Sequence, residues 1–82
     1  MKEGFFYILQ SEKTDGYYIG SCCDLTKRLS EHARGHTQST RKQKPWKLVY
    51  TECYTKLEEA RAREREVKRW KSHNRMYKLI TR

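Results

Sequence analysis

Residues 4 to 10, GFFYILQ, leave this chain little choice of fold. A near-continuous apolar run of strand length, rich in aromatic residues, fits a strand covered on both faces. In a small domain, only the middle of a sheet offers such cover. The chain has 82 residues, which makes one domain with one small core. A shallow surface cleft is therefore expected rather than a deep pocket.

The other elements can be placed around that strand. Residues 11 to 16, SEKTDG, form a polar loop ending in Asp-Gly, a turn signal. Residues 17 to 21 return as the second strand of a hairpin. Asp24 is placed to cap a helix, because its carboxylate takes backbone N–H groups that the first turn leaves orphaned. Leu25, Leu29 and Ala33 mark the apolar stripe of that helix, and Gly35 marks its stop. Residues 36 to 45 form a basic loop. Residues 46 to 54, WKLVYTECY, alternate as a third strand. Trp46, Leu48, Tyr50 and Glu52 take one face, and Lys47, Val49, Thr51 and Cys53 the other. Thr55 with Glu58 matches a capping box for a helix over about 56–71, and a shorter helix covers about 74–81. The order is β-β-α-β-α-α, and the crossover into the third strand should be right-handed. This predicts an α/β chain of the α+β kind. Its antiparallel sheet has strand order 2-1-3 and is flanked by three helices. No repeat or linker divides residues 1–82.

Nineteen Lys and Arg against ten Asp and Glu give a net charge of +9. That implies a polyanionic partner, most simply nucleic acid, with an anionic membrane surface as the alternative. A charged fraction of 35% also fits disordered chains, but ten aromatic residues do not. No apolar run is long enough to span a bilayer and no signal-peptide pattern opens the chain, so a soluble cytoplasmic protein is the default expectation. Cys22, Cys23 and Cys53 contain no CxxC pair and read as free thiols in a reducing compartment.

The chemistry-bearing residues fall near one another. Arg28 and His32 lie one turn apart on the packing side of the first helix. Tyr18 is delivered to the start of that helix, and Tyr7 sits on the adjacent strand. On the second helix Leu57, Ala60, Glu64 and Val67 share one stripe, while Glu58, Glu59 and Glu66 fall elsewhere and read as solvated. A buried carboxylate is costly unless a cation or strong donors meet it. Two readings stand: Glu64 makes a structural ion pair with Arg28 or Lys68, or it holds a divalent ion completed by water and phosphate. Convergence of Tyr7, Tyr18, Arg28, His32 and Glu64 on one sheet face points to phosphodiester chemistry. Taken alone, His32 reads as a packing histidine. His36 and His73 read as surface residues, and Trp46 and Trp70 as core or core-rim residues. Arg41, Lys42, Lys44 and Lys47 before the third strand, with Arg61, Arg65, Lys68, Arg69 and Lys71 on the second helix, form a track for phosphates.

Phe5-Phe6-Tyr7, then Tyr18-Ile19-Gly20, then Asp24-Leu25 with Arg28-Leu29 and His32, resembles the GIY-YIG endonuclease family. Pro45 to Tyr50, and Ala62-Arg63-Glu64 followed by Val67-Lys68-Arg69-Trp70, resemble its small stand-alone members. The match covers about residues 4–80. The resemblance implies hydrolysis of DNA phosphodiester bonds at one Mg²⁺ or Mn²⁺ ion. By that resemblance Glu64 is the metal ligand, Tyr7 helps to activate the attacking water, and Tyr18 orients or shares that proton. Arg28 holds the scissile phosphate, and His32 assists proton transfer or contacts phosphate. Phe5-Phe6 replaces Gly-Ile, a change that removes no side-chain chemistry. Ser21 stands where some members have Lys, which removes a phosphate contact. A tyrosine with a reference pKa of about 10 is a poor base, so Tyr7 would need the metal or Arg28 to favour its phenolate. A non-catalytic nucleic-acid-binding module of the same fold is the alternative reading, and a protein-interaction domain is a third. A chain this small is expected to show weak sequence preference. It would read DNA structure, or depend on a homodimer or a separate DNA-targeting partner.

Overall fold

A computed structural model describes residues 3–35 and 41–81. Among them, β1 (Gly4–Ser11), β2 (Tyr17–Cys22) and β3 (Trp46–Tyr54) form one antiparallel sheet of order β2-β1-β3. Helix α1 (Leu25–Arg34) precedes β3, and α2 (Leu57–Lys68) and α3 (His73–Ile80) follow it. The element order and strand order are those expected. His36 and residues 37–40 lie outside the described residues.

β1 is covered on both faces, as its apolar run requires. Phe6 and Ile8 pack with Val67, Met76 and Leu79 on the side of α2 and α3. Tyr7 and Leu9 pack on the α1 side with Leu25, Leu29 and Trp46. Full burial of each large apolar side chain contributes about 1.5–3 kcal/mol, so this strand anchors both half-cores. Helix α2 reaches β1 over Gly4, where an added Cβ would lie 2.6 Å from the Leu57 Cα. The hairpin turns through Asp15, whose φ of 64° is left-handed. Ser11, fully buried, donates to the Gln43 carbonyl at 2.6 Å and accepts from the Lys13 and Thr14 amides. It thereby ties the hairpin turn to the segment before β3.

Asp24 caps α1 as expected, accepting from the Lys27 amide at 3.0 Å, and Gly35 closes it at φ 76°. The apolar stripe needs one correction: Ala33 is exposed, and His32 is the residue α1 buries. At 100° per residue the buried side runs through Leu25, Leu29 and His32, leaving Ala33 at its margin.

Three further expectations change. The capping box does not form: Thr55 donates to the Glu59 carboxylate at 3.0 Å, and Lys56 is an N-cap without a side-chain bond. Helix α2 ends at Lys68 rather than near residue 71, because Lys71 takes a left-handed φ of 48°. β3 does not alternate strictly. Ile8 pairs with Tyr50 while Leu9 pairs with Leu48, so Val49 is an extra residue in a bulge. Trp46 and Leu48 therefore share the α1 face with Leu9, while Tyr50, Glu52 and Tyr54 share the α2 face with Phe6. Cys22, Cys23 and Cys53 are all free. Among the described residues no helix is long and apolar enough to cross a membrane.

Candidate active site

Tyr7 and Gly20 are cross-strand partners, and a Cβ on Gly20 would lie 2.6 Å from the Tyr7 Cζ and closer still to its hydroxyl. Gly20 is thus the residue that lets the Tyr7 ring lie down over β2. The ring is fully buried, and its hydroxyl lies 3.1 Å from the His32 Nε2. The His32 ring stands edge-on to Tyr7 at 5.9 Å and to Tyr18 at 4.9 Å between centroids. Tyr18 in turn meets Trp46 at 6.2 Å, a contact made by the β3 bulge. The Arg28 guanidinium is close enough to the Tyr7 phenol for its charge to act on it, and it pairs with Glu31 at 3.1 Å at the half-exposed rim. Tyr7, Tyr18, Arg28 and His32 are therefore brought together on the α1 face.

Burial sets the protonation of this cluster. It pushes the Tyr7 phenol well above its usual range, with the neighbouring Tyr18 adding to the effect and Arg28 opposing it. It also lowers the His32 imidazole below its ordinary value, helped by the Arg28 charge. Both groups are neutral at neutral pH. With the proton of the neutral imidazole on Nδ1, His32 Nε2 accepts from the Tyr7 O–H. Arg28 does favour the Tyr7 phenolate, but desolvation outweighs this one partly exposed cation. Burial also raises the Cys22 thiol, which lies in the same half-core.

Glu64 is half-buried, as its place in the α2 stripe requires, but it is not on the α1 face. Ser21 donates to its Oε1, and Lys68 holds its Oε2 at 2.6 Å. Successive residues of a strand face opposite ways, so Gly20 meets Tyr7 on one face and Ser21 meets Glu64 on the other. The five groups thus approach neighbouring residues of β2 from two sides. β2 is an edge strand, so its outer margin is open to both. The structural ion pair with Lys68 is formed, and that with Arg28 is not.

Among the described residues, no group of three or more His, Cys, Asp or Glu is placed to hold a metal ion. Glu64 with the Ser21 hydroxyl fits a divalent ion that takes one protein carboxylate and completes its shell with water and phosphate. Lys68 would have to release Oε2 for that. Of the expected phosphate track, Arg41, Lys42, Lys44, Lys47, Arg61, Arg65 and Lys68 are all exposed. Arg41 Nε also donates to the Gly35 carbonyl at the end of α1, at 2.9 Å.

Sequence reasoning missed two features. Ser21, expected only to remove a phosphate contact, orients Glu64. Glu52 carried no expectation, yet its carboxylate accepts from Tyr50, Tyr54 and Arg63, the last at 3.1 Å and 3.3 Å. The spacing Tyr50-x-Glu52-x-Tyr54 was the available signal, because it puts all three side chains on one strand face.

Comparison with known proteins reaches the same region. The family model of the GIY-YIG catalytic domain matches residues 3–78. A UPF0213 protein of Bacillus pumilus is 38% identical over 68 residues, covering 80% of this chain and 67% of its own length. A UPF0213 protein of Staphylococcus saprophyticus is 33% identical over 82 residues, covering 99% and 98%. The solution NMR structure of a UPF0213 protein from Bacillus halodurans superimposes with a TM-score of 0.61 at 31% identity, over 96% of this chain and 83% of that one.

Proposed function

Because this chain belongs to the GIY-YIG catalytic domain family, we propose that it is a divalent-metal-dependent endonuclease hydrolysing DNA phosphodiester bonds with weak sequence preference. The observation that carries this reading is the buried Tyr7 hydroxyl, hydrogen-bonded to His32 directly over Gly20 and under the influence of the Arg28 charge. A purely structural tyrosine would not need an imidazole on its oxygen and a cation near by.

Arg28 binds the scissile phosphate through a guanidinium fork, letting go of Glu31 to do so. The Tyr7–His32 pair moves the proton. As water attacks phosphorus, one of its protons passes to the Tyr7 oxygen while the phenol's own proton passes to His32 Nε2. Tyr7 never has to become a free phenolate, which its burial disfavours, and His32 ends as an imidazolium. The P–O bond to the leaving oxygen breaks, and that oxygen takes a proton from solvent or from His32. Tyr18 packs edge-on against His32 and holds the ring in line. Glu64, oriented by Ser21, is the one residue to hold a Mg²⁺ or Mn²⁺ ion. When bound, that ion supplies a Lewis acid for the phosphate and a more acidic bound water.

The Lys68–Glu64 ion pair favours a second reading, a nucleic-acid-binding module of the same fold that needs no metal. Nicking of supercoiled plasmid with and without Mn²⁺, run beside Glu64→Ala and Tyr7→Phe, separates the two. The enzyme reading expects metal-dependent nicking that both variants lose while staying folded. Plasmid binding without nicking, or nicking that survives in both variants, would falsify it.

A further inference from the structure

The α2–α3 face carries a basic cleft that has no part in the chemistry above. It is lined by Arg63, Trp70, Arg75, Lys78 and Leu79, with a volume of about 300 Å³. Three of these five side chains are cations and none is an acid. Trp70 organises them. The Arg75 guanidinium lies 4.3 Å from its ring centroid and the Arg63 guanidinium 5.5 Å. One indole thus attracts two cations that would otherwise repel each other.

The two arginines differ in what they have left to offer. Arg63 is neutralised by Glu52 and by Glu66, at 3.1 Å and 3.0 Å. Among the described residues no carboxylate forms an ion pair with Arg75 or Lys78. Both are exposed and stand one turn apart on α3, above the wall formed by Arg63 and Trp70. A guanidinium fixed against an indole has already lost much of its rotamer freedom, so it gives up little on taking a bound oxyanion.

We propose that this cleft is a second phosphate-binding site, which takes the sugar–phosphate backbone of a nucleic acid on the face of the sheet opposite Tyr7 and His32. The ligand is identified by chemistry: cations that no carboxylate among the described residues neutralises, beside an aromatic wall, suit a repeating monoanionic diester, and the net charge of +9 favours a polyanion over a single small anion. One molecule then touches two backbone segments, one at β2 and one at α3. The inference concerns binding alone and holds whether or not the chain cleaves.

The two tryptophans make the test selective, since Trp46 lies beside Tyr18 and Trp70 lines the cleft. Indole N–H signals are followed by NMR in EDTA while a short DNA duplex, or inorganic phosphate, is added. The duplex is expected to shift Trp70, with Arg75→Gln and Lys78→Gln each weakening that shift and leaving the Trp46 signal in place. The double variant should flatten the dependence of duplex affinity on salt by about two units of log–log slope. A Trp70 signal that ignores the duplex overturns the site, whatever Trp46 does. A Trp70 signal that moves with inorganic phosphate as strongly as with duplex makes it a small-anion site and overturns the nucleic-acid assignment. Trp46 silent while Trp70 shifts would instead count against DNA at Tyr7.

Discussion

The two faces of the sheet each enclose a polar cluster, and the clusters are completed differently. On the α2 face the Glu52 carboxylate accepts from two phenols and from Arg63, and Arg63 also reaches Glu66. Burial works against Glu52 ionising, but those hydrogen bonds outweigh it and hold the carboxyl below its ordinary range. Burial and the bond to Glu52 push the Tyr54 hydroxyl up to about 12. Glu52 and Arg63 neutralise each other within the cluster, with the exposed Glu66 at its edge. On the α1 face, Tyr7 and His32 are both driven neutral, and the remaining charge is Arg28, met at the rim by the half-exposed Glu31. A matched network fixes a fold, whereas a cation beside a neutral donor–acceptor pair has capacity left for an anion.

The comparison is broken most decisively at the Tyr7 cluster. Tyr7→Phe keeps the ring and removes the proton path, so plasmid nicking should fall by about 10²–10⁴-fold. Arg28→Ala should cost about 10²–10³-fold and weaken substrate binding as well. Both should stay folded, with Tyr7→Phe losing about 1–3 kcal/mol for the bond it takes from the buried His32. Glu52→Gln is the mirror case. It leaves Arg63 half-compensated in a partly buried place, at a cost of about 1–3 kcal/mol. Cleavage per folded molecule should not change. If Glu52→Gln lost activity as deeply as Tyr7→Phe, the division into a structural and a chemical cluster would be wrong.

Gly20→Ala should show a smaller effect of mixed kind. Its Cβ would meet the Tyr7 ring, and the backbone of β2 cannot retreat without disturbing its pairing with β1. Overpacking of this sort costs about 1–3 kcal/mol, and the displaced phenol should also lose its place beside His32. Calorimetry and nicking should fall together. A variant as stable and active as the parent would mean that Tyr7 need not lie where it does.

Much of this arrangement was legible in the residues because local patterns set it. The apolar run at Gly4–Gln10 made the central strand, Asp24 and Gly35 framed α1, and the alternation Tyr18-x-Gly20 put two site residues on one face. The rest depended on relations that a one-dimensional pattern does not carry. A bulge at Val49 turned Trp46 toward Tyr18, and no residue type announces a bulge. Helical spacing puts Glu64 on a buried stripe but does not say on which side of the sheet that stripe packs, so its place opposite Tyr7 is not readable from the residues. Lys56 displaced Thr55 as N-cap because α2 docks on Gly4, a tertiary constraint that local capping preference does not register.

The smallest expected effect concerns His32 and is read by its own titration. Burial is the larger cause of its lowered pKa and the Arg28 charge the second. The imidazole midpoint, followed by NMR, should therefore lie below the reference value of about 6.5. Arg28→Gln should raise it only part of the way back, because burial remains. Stability follows with a definite sign. The unfolded chain protonates near the reference value and the folded chain only at lower pH. Stability contributed by His32 is thus present above about pH 6.5 and lost as pH falls toward the folded midpoint. The loss cannot exceed about 1.4 kcal/mol per pH unit for one group. A proton path ending on His32 needs the same neutral form, so the acid limb of nicking should track that midpoint. A midpoint at or above 6.5 would mean that His32 meets water or an anion, and the relay from Tyr7 would lose its acceptor.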